Sequence, residues 1–238
     1  MRPFIPARFL ALTTLVLPAS PAFAEDSPSS VAVSGSAAIV SDYRFRGISL
    51  SENDPAVQAT INITHESGLY VGAWGSSLDM GELYGPTEID LYAGWAGTIA
   101  PRTGLDVAIT YYSYPAGDDS LGNADYFETI AKLNREIGPV KATLGAGYSW
   151  DQSALGGDHL YLFGDAAAPV TGTPLTLKGH FGRSKGAMAP GQGDYLDWSL
   201  GADLTFSALT LGVAYVDTDL GGARPVDAAA LFSISAAF

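Results

Sequence analysis

The sequence contains no cysteine and few basic residues, and both absences limit what it can encode. Without cysteine, an exported chain has neither a disulfide framework nor thiol chemistry. Only 12 lysine and arginine residues accompany 25 acidic residues, which argues against a nucleic-acid partner because phosphate contacts need basic side chains. No apolar run of about 18 residues follows the N-terminal segment. If the chain enters a membrane, it must do so as a closed β-barrel, since an open sheet edge cannot be satisfied in lipid.

The first 24 residues have the composition of a secretory signal peptide. Arg2 and Arg8 form a basic start before an apolar core, Phe9–Leu17, and Ala22-Phe23-Ala24 matches a small-x-small cleavage site. We therefore expect residues 1–24 to be removed on export and residues 25–238 to form one outer-membrane barrel domain. Removal takes two of the 12 basic residues, which leaves 10 basic against 25 acidic side chains.

The stretch from Pro55 to Leu78 shows the pattern that recurs through the chain. Apolar side chains occupy every second position of Pro55–Thr64, with polar side chains between them. The short sequence HESG follows, and the alternation resumes in Leu69–Leu78. A period of two predicts a strand with one apolar and one polar face. Each strand of this hairpin has about ten residues, the length that crosses a bilayer at a tilt.

The same alternation predicts twelve strands, whose boundaries carry an uncertainty of about two to four residues. The predicted strands are Val31–Tyr43, Pro55–Thr64, Leu69–Leu78, Glu88–Gly97, Gly104–Tyr114, Asp125–Arg135, Val140–Trp150, His159–Ala168, Leu175–Ser184, Tyr195–Phe206, Ala208–Val216 and Asp227–Phe238. The segment at 159–168 is the least regular of them.

The connections between these segments alternate in length. Those after the even-numbered strands are short, as in HESG and EIGP, whereas those after the odd-numbered strands are longer and rich in glycine, aspartate and serine. An even strand number with short turns at one end and long loops at the other is typical of outer-membrane barrels. The predicted fold class is all-β: a single antiparallel transmembrane barrel with short periplasmic turns and longer extracellular loops. A soluble β-sandwich, with the apolar face inside, would produce the same alternation.

Three segments of the N-terminal third resemble a known family. They are SDYRFRGISLSENDPAVQ at 41–58, SGLYVGAWGSSLD at 67–79 and EIDLYAGW at 88–95. The sequence resembles the TorF family of porin-like proteobacterial outer-membrane proteins, also called Gcw_chp, over the whole mature chain. The resemblance implies an outer-membrane location and a barrel architecture. It implies no defined solute and no catalytic residues.

The last predicted strand suggests two kinds of partner. Phe232, Ile234 and Phe238 share its apolar face, and the terminal aromatic residue resembles the signal that the outer-membrane assembly machinery reads. The apolar faces predict contact with outer-membrane lipid and lipopolysaccharide. Acidic loop sequences such as Asp118-Asp119 could bind divalent cations, but the spacing of a known calcium loop is absent.

The polar faces carry charged side chains that would line a lumen. Charge rings of this kind set ion preference in pores, but in a narrow barrel the same groups can form a salt-bridged plug, and the sequence leaves both interpretations open. Two arginines lie after the first strand, either facing Glu88 and Asp90 at the pore mouth or pairing to lock the first loop. Trp74, on the polar face, either packs under a loop or lines the mouth. The pore-lining candidates are Arg44, Arg46, Glu88, Asp90, Asp106, Glu128, Lys132, Lys141, Lys178 and Asp197.

These features predict a porin or narrow channel for passive diffusion of small polar solutes or ions. One alternative is a barrel without transport, serving adhesion or envelope integrity, and a second is a lipid-modifying barrel enzyme. The three histidines do not favour the enzyme, because His180, on a predicted strand, faces the lumen and not the lipid, where an acyl ester would lie. We expect no catalytic, cofactor-binding or metal-binding residues and no cofactor.

Overall fold

The computed structural model describes residues 30–221 and 225–238, so the predicted signal peptide lies outside the described residues. In chain order the strands are β1 (Val31–Val40), β2 (Arg44–Phe45), β3 (Ile48–Ser49), β4 (Ala56–His65), β5 (Leu69–Ser77), β6 (Thr87–Ala100), β7 (Thr103–Ser113), β8 (Tyr126–Ile137), β9 (Val140–Ser149), β10 (His159–Pro169), β11 (Leu175–Gly186), β12 (Asp194–Phe206), β13 (Leu209–Thr218) and β14 (Ala229–Ala237). A single 3-10 turn, Pro190–Gln192, is also present in the described part of the chain.

Twelve of these strands form a closed antiparallel barrel, and β2 and β3 form a separate two-stranded hairpin. The barrel closes where β1 pairs with β4 on one side and with β14 on the other. Gly35 and Phe238 exchange two backbone hydrogen bonds of 2.9 Å at this seam. A side chain at Gly35 would meet the Phe238 ring, because two ring carbons lie 2.7 Å from the position of a Cβ. The predicted fold class is confirmed.

The two faces of each strand separate as the alternation predicts. Large apolar side chains point outward and are exposed, among them Val57, Leu144 and Leu200. Their neighbours along the strand, such as Gln58 and Glu128, are buried inside the barrel. This arrangement is the reverse of a soluble sandwich, in which the apolar face would be covered, so the sandwich interpretation is wrong. No helix among the described residues is long and apolar enough to cross a membrane.

The connections divide between the two ends of the barrel as expected. The short turns cover 66–68, 101–102, 138–139, 170–174 and 207–208. The long loops cover 41–55, 78–86, 114–125, 150–158 and 187–193, and a further one includes the described residues 219–221 and 225–228. Several predicted boundaries need correction by two or three residues; β1, for example, ends at Val40 and β14 begins at Ala229. Ser41 still exchanges hydrogen bonds with Phe232 of β14, and the chain leaves the barrel wall after it, because Tyr43 forms hydrogen bonds with Ser51 and Leu50 of its own loop.

Candidate functional site

The loop after β1, residues 41–55 and here called loop 1, folds into the lumen. Its β2–β3 hairpin turns at Arg46 and Gly47, where the backbone φ angles are 51° and 83°. A side chain at Gly47 would lie 2.4 Å from the Thr218 side chain and 3.0 Å from Asp197 Cβ. The hairpin tip therefore lies directly against the inner walls of β12 and β13, and this close approach requires glycine.

Arg46 connects loop 1 to three strands of the barrel. Its Nη2 donates a hydrogen bond of 2.5 Å to Glu128 on β8, and both side chains are almost completely buried. Its guanidinium carbon lies 4.3 Å from the centroid of the Tyr161 ring on β10. The Tyr195 hydroxyl of β12 donates to the Arg46 carbonyl at 3.0 Å. Since these strands lie on different sides of the lumen, the contacts fix the hairpin across it.

Arg44 has a different role, because its partners organise loop 1 itself. It pairs with Asp42 at 2.6 Å and donates to Asn53 Oδ1 at 2.7 Å. It also donates to the carbonyls of Gly47, at 3.1 Å, and Asp227, at 2.6 Å. The partners of the two arginines are thus Asp42 and Glu128, and not Glu88 and Asp90.

Glu88 is instead bound by tyrosines. It accepts hydrogen bonds from the hydroxyls of Tyr43, at 2.9 Å, and Tyr114, at 3.1 Å. Burial, together with the nearby Glu88 and Asp90 carboxylates, raises the pKa of the Tyr43 phenol well above its usual value, so that the hydroxyl remains a donor. Trp74 packs against the Tyr43 ring, with centroids 5.3 Å apart. Trp74 therefore packs under loop 1.

These rings belong to an apolar cluster that occupies the inside of the barrel on its β4–β8 side. Loop 1 and the adjacent strand ends contribute its aliphatic members, and β5, β7 and β8 contribute aromatic rings. The cluster consists of Val40, Tyr43, Leu50, Ala56, Trp74, Leu78, Tyr112, Tyr114 and Tyr126. Residues of the polar face can form such a cluster because aromatic rings combine large apolar area with hydroxyls that reach the buried carboxylates.

Asp90 is the exception among the buried carboxylates beneath loop 1. It is 6% exposed, and its Oδ1 has no hydrogen-bond partner among the described residues. Glu88 and Glu128 lie near enough to repel it. Asp90→Asn should therefore raise the free energy of unfolding by about 1 kcal/mol, since an amide removes the repulsion and can donate. Urea unfolding of the refolded barrel measures this change.

The control for Asp90→Asn is Asp106→Asn, at another inward position. Asp106 accepts a hydrogen bond of 2.6 Å from the Tyr70 hydroxyl and pairs with Lys132 at 3.6 Å. The same chemical change should here lower the free energy of unfolding, because it weakens an ion pair that is mostly buried. Equal signs for the two variants would contradict the interpretation of Asp90 as a repelled carboxylate.

On the opposite side of the lumen, acidic and basic side chains form a paired ladder. Lys178 on β11 contacts Asp203 on β12 at 2.7 Å. Two positions further along β11, His180 contacts Asp165 through Nδ1 at 2.6 Å and Asp197 through Nε2 at 2.9 Å. Asp165 was missed as a site residue because it lies in the least regular predicted strand, where the inward positions also carry aromatic rings. The alternation that places Asp197 on the inward face also predicts an inward position for Asp203, and Asp203 is buried inside the barrel.

The remaining pore-lining candidate, Lys141, lies elsewhere. It occupies the second position of β9, beside the short turn at 138–139, and is exposed. Its register partner on β8 is Glu136, which is also exposed. Lys141 therefore lies at the rim of the short-turn end, whereas the other nine candidates are buried or partly buried inside the barrel.

Glycines keep large rings flat against the inner wall. The Tyr92 ring covers Gly72, the Tyr70 ring covers Gly94, and the Phe163 ring covers Gly145, each on the neighbouring strand. In all three cases ring carbons lie closer than 3.0 Å to the position that a Cβ would occupy. Each aromatic ring therefore occupies the space that a side chain at the glycine position would fill. The ring lies against the wall and projects less far into the lumen than it otherwise would.

Gly145 offers a direct test of this packing. The Phe163 ring carbons lie 2.1, 2.4 and 2.7 Å from its Cβ position. Phe163 also borders a cavity inside the barrel, beside loop 1. Gly145→Ala should push the ring into the cavity, which lowers conductance and costs about 1–3 kcal/mol of stability. Gly104→Ala is the matched control, since its nearest neighbour is 3.6 Å away. Conductance that stays unchanged in Gly145→Ala would show that the ring does not border the solute path.

A cavity of about 230 Å³ lies beside loop 1. Loop 1 borders it through Arg44 and Arg46, and the paired ladder of β10–β12 forms much of its wall. Small side chains on β12, β13 and β14, including Gly201, Gly212 and Ser233, complete the lining. In the described part of the chain, no group of three or more histidine, aspartate or glutamate side chains is arranged to hold a metal ion.

The barrel is similar in fold to solved outer-membrane proteins. Over 86% of this chain and 98% of the other, it matches the KdgM porin with a TM-score of 0.58 at 7% identity. It matches the NanC porin over 87% and 99%, with a TM-score of 0.58 at 10% identity. It matches an outer-membrane channel from Pseudomonas putida F1 over 92% of this chain and 98% of the other, with a TM-score of 0.56 at 11% identity. At these identities the likeness concerns the fold.

The comparison by sequence gives a family. No curated protein sequence matches the chain. The family described as a bacterial protein of unknown function, Gcw_chp, matches residues 24–235. The family match supports the name Gcw_chp from the predicted resemblance and does not bear on the name TorF. Because the match spans most of the chain, the protein belongs to the Gcw_chp family.

Proposed function

We propose that the protein is an outer-membrane channel through which small polar solutes diffuse passively, with loop 1 as its constriction. The observation that carries this proposal is the cavity beside loop 1, which charged side chains border, inside a barrel whose outer face is apolar. An apolar exterior fits lipid, and a lumen of polar and charged groups fits water. The solved porins of similar fold support the same assignment.

Loop 1 sets the width of the proposed path. It joins β6 through Tyr43 and Glu88, and it joins β8, β10 and β12 through Arg46. Together with the apolar cluster it occupies the β4–β8 side and leaves the cavity on the β10–β14 side. A solute would therefore pass off the barrel axis, between the hairpin and the wall of β11 to β14.

The second candidate function is a barrel without transport, with a role in adhesion or envelope integrity. The specific observation in its favour is that loop 1 and the apolar cluster fill part of the lumen and that the lumen's cations are held in ion pairs. Both functions require the same outer-membrane location and the same outer contact with lipid and lipopolysaccharide. We also propose that the assembly machinery recognises β14 and Phe238.

Conductance of the purified full-length chain in planar bilayers separates the two functions. We expect discrete steps from the unmodified protein and larger steps when residues 44–49 are replaced by a short Gly–Ser link. The control replaces residues 118–122 in the same way, because that loop does not cross the lumen, and it should leave the step size unchanged. Absence of conductance from both the unmodified protein and the loop 1 variant would favour the structural barrel.

A further inference from the structure

The wall of the cavity carries charges of both signs in nearly equal numbers. Among the described residues that line it, lysine and arginine number four and aspartate also numbers four. His180 lies between two of these aspartates, Asp165 and Asp197, and adds one positive charge when both of its ring nitrogens donate to them. The charges are interspersed, since Lys178 and His180 occupy successive inward positions of β11 and Asp197 and Asp203 flank them on β12.

The ladder also remains accessible from the cavity. The Lys178 side chain is 14% exposed, that of His180 is 23% exposed and that of Asp165 is 17% exposed. An ammonium group has three donors and a carboxylate about four acceptor positions, so each keeps capacity for a further partner after pairing. The Asp197 and Asp203 side chains are almost completely buried, at 3% and 4% exposed. Lys178, His180 and Asp165 are therefore the members of the ladder that can accept a second partner from the cavity, and they include both signs of charge.

Glycines on the wall let the side chains of these pairs lie close against it. Gly212 lies in register with both Asp203 and Ser233, and a Cβ there would lie 2.4 Å from Ser233 Oγ and 3.0 Å from Asp203 Oδ1. The cavity of about 230 Å³ equals roughly eight water molecules of liquid volume. This space is suited to a solute of the size of a small amino acid.

From these observations we infer that the preferred solutes of the channel are small zwitterions of the amino-acid type. The inference rests on the proposed function and adds a solute class to it. A zwitterion places its ammonium group near Asp165 and its carboxylate near Lys178 or His180. The charge balance of the wall is then preserved throughout passage.

Other solute classes fit this wall less well. A solute with net charge adds one unmatched charge to a balanced, partly desolvated wall, which is unfavourable. A neutral polyol keeps the balance, but it cannot replace the water around the charged groups with charge-assisted hydrogen bonds. A zwitterion satisfies both conditions, and this is the physical basis of the expected preference.

Liposome swelling with the full-length protein tests the inference. Glutamine and xylitol, a neutral polyol of similar size, are compared at equal osmolarity. We expect glutamine to enter roughly fivefold faster than xylitol. A ratio of this size needs only a small difference between the free energies with which the two solutes interact with the channel wall. Swelling with neither solute would overturn the proposed function and the inference with it. Equal rates for the two solutes would overturn the inference alone and leave the channel intact.

A pair of double variants locates the preference. Lys178→Gln with Asp203→Asn removes both charges of one lumen pair together, so that neither is stranded. Arg183→Gln with Asp194→Asn removes a pair between the same two strands, but that pair lies on the outer face with both side chains about half exposed. The first double variant should bring the glutamine rate close to the xylitol rate, and the second should leave both rates unchanged. A preference retained in the first variant, or lost in both, would contradict a role for the ladder. If the first variant fails to fold, the comparison of the two solutes in the unmodified protein still decides.

Discussion

Replacing Arg46 with methionine should lower the free energy of unfolding by about 3–5 kcal/mol, the cost of breaking a buried ion pair from one side. Glu128 is 0% exposed and would lose its cationic partner. The hairpin would also lose the packing of the guanidinium on Phe45 and Tyr161. Because Arg46 joins loop 1 to the far wall, we expect larger and noisier conductance steps as well. Urea unfolding in lipid vesicles and single-channel recording measure the two effects.

The double variant Arg46→Met with Glu128→Gln is the control for this prediction. It removes both charges, so that much of the lost stability should return, while the conductance should stay high because loop 1 is still released. If Arg46→Met alone leaves both stability and conductance unchanged, the hairpin is not held by this ion pair. The constriction assigned to loop 1 would then be wrong.

Ile234→Asp should sharply reduce the yield of assembled barrel. Ile234 is 44% exposed on the outer face of β14, in register with Ile39 of β1 and Leu211 of β13. It therefore lies beside the seam that closes the barrel. A carboxylate facing lipid at this position should cost about 1–3 kcal/mol, depending on its depth. The shift in electrophoretic mobility on heating reports the fraction that is folded.

Ser233→Asp is the matched control, because it introduces the same side chain one residue earlier in the same strand. Ser233 lines the cavity, so a carboxylate there costs less than one facing lipid, although Asp203 lies beyond Gly212 on the neighbouring strands. We expect normal assembly from this variant. Poor assembly of both variants would mean that β14 tolerates no charge on either face. Normal assembly of both would contradict contact between its outer face and lipid.

The alternation in the sequence was sufficient to predict the strands and which residues share a face, and the alternating loop lengths favoured a barrel over a sandwich. The hairpin of β4 and β5 appears within one residue of its predicted limits, and the inward positions of Glu128, Lys178 and Asp197 follow from a period of two. Boundaries were less accurate, as in β6, which runs on to Ala100 beyond the predicted Gly97. Hydrogen bonding between neighbouring strands can continue into a segment whose side chains no longer alternate between apolar and polar. The alternation therefore cannot predict such an extension.

The sequence by itself determined which residues of a strand share a face, because successive side chains of a strand point in opposite directions. The closed barrel decided that the apolar face is outside. Only the tertiary structure decided which inward residues meet. Arg46 and Glu128 are 82 positions apart, and their contact depends on loop 1 folding inward across the lumen. The local sequence of a loop does not fix that path, because hydrogen bonds with distant strands stabilise it. The same reason explains why Glu88 binds Tyr43 and Tyr114 and not the arginines.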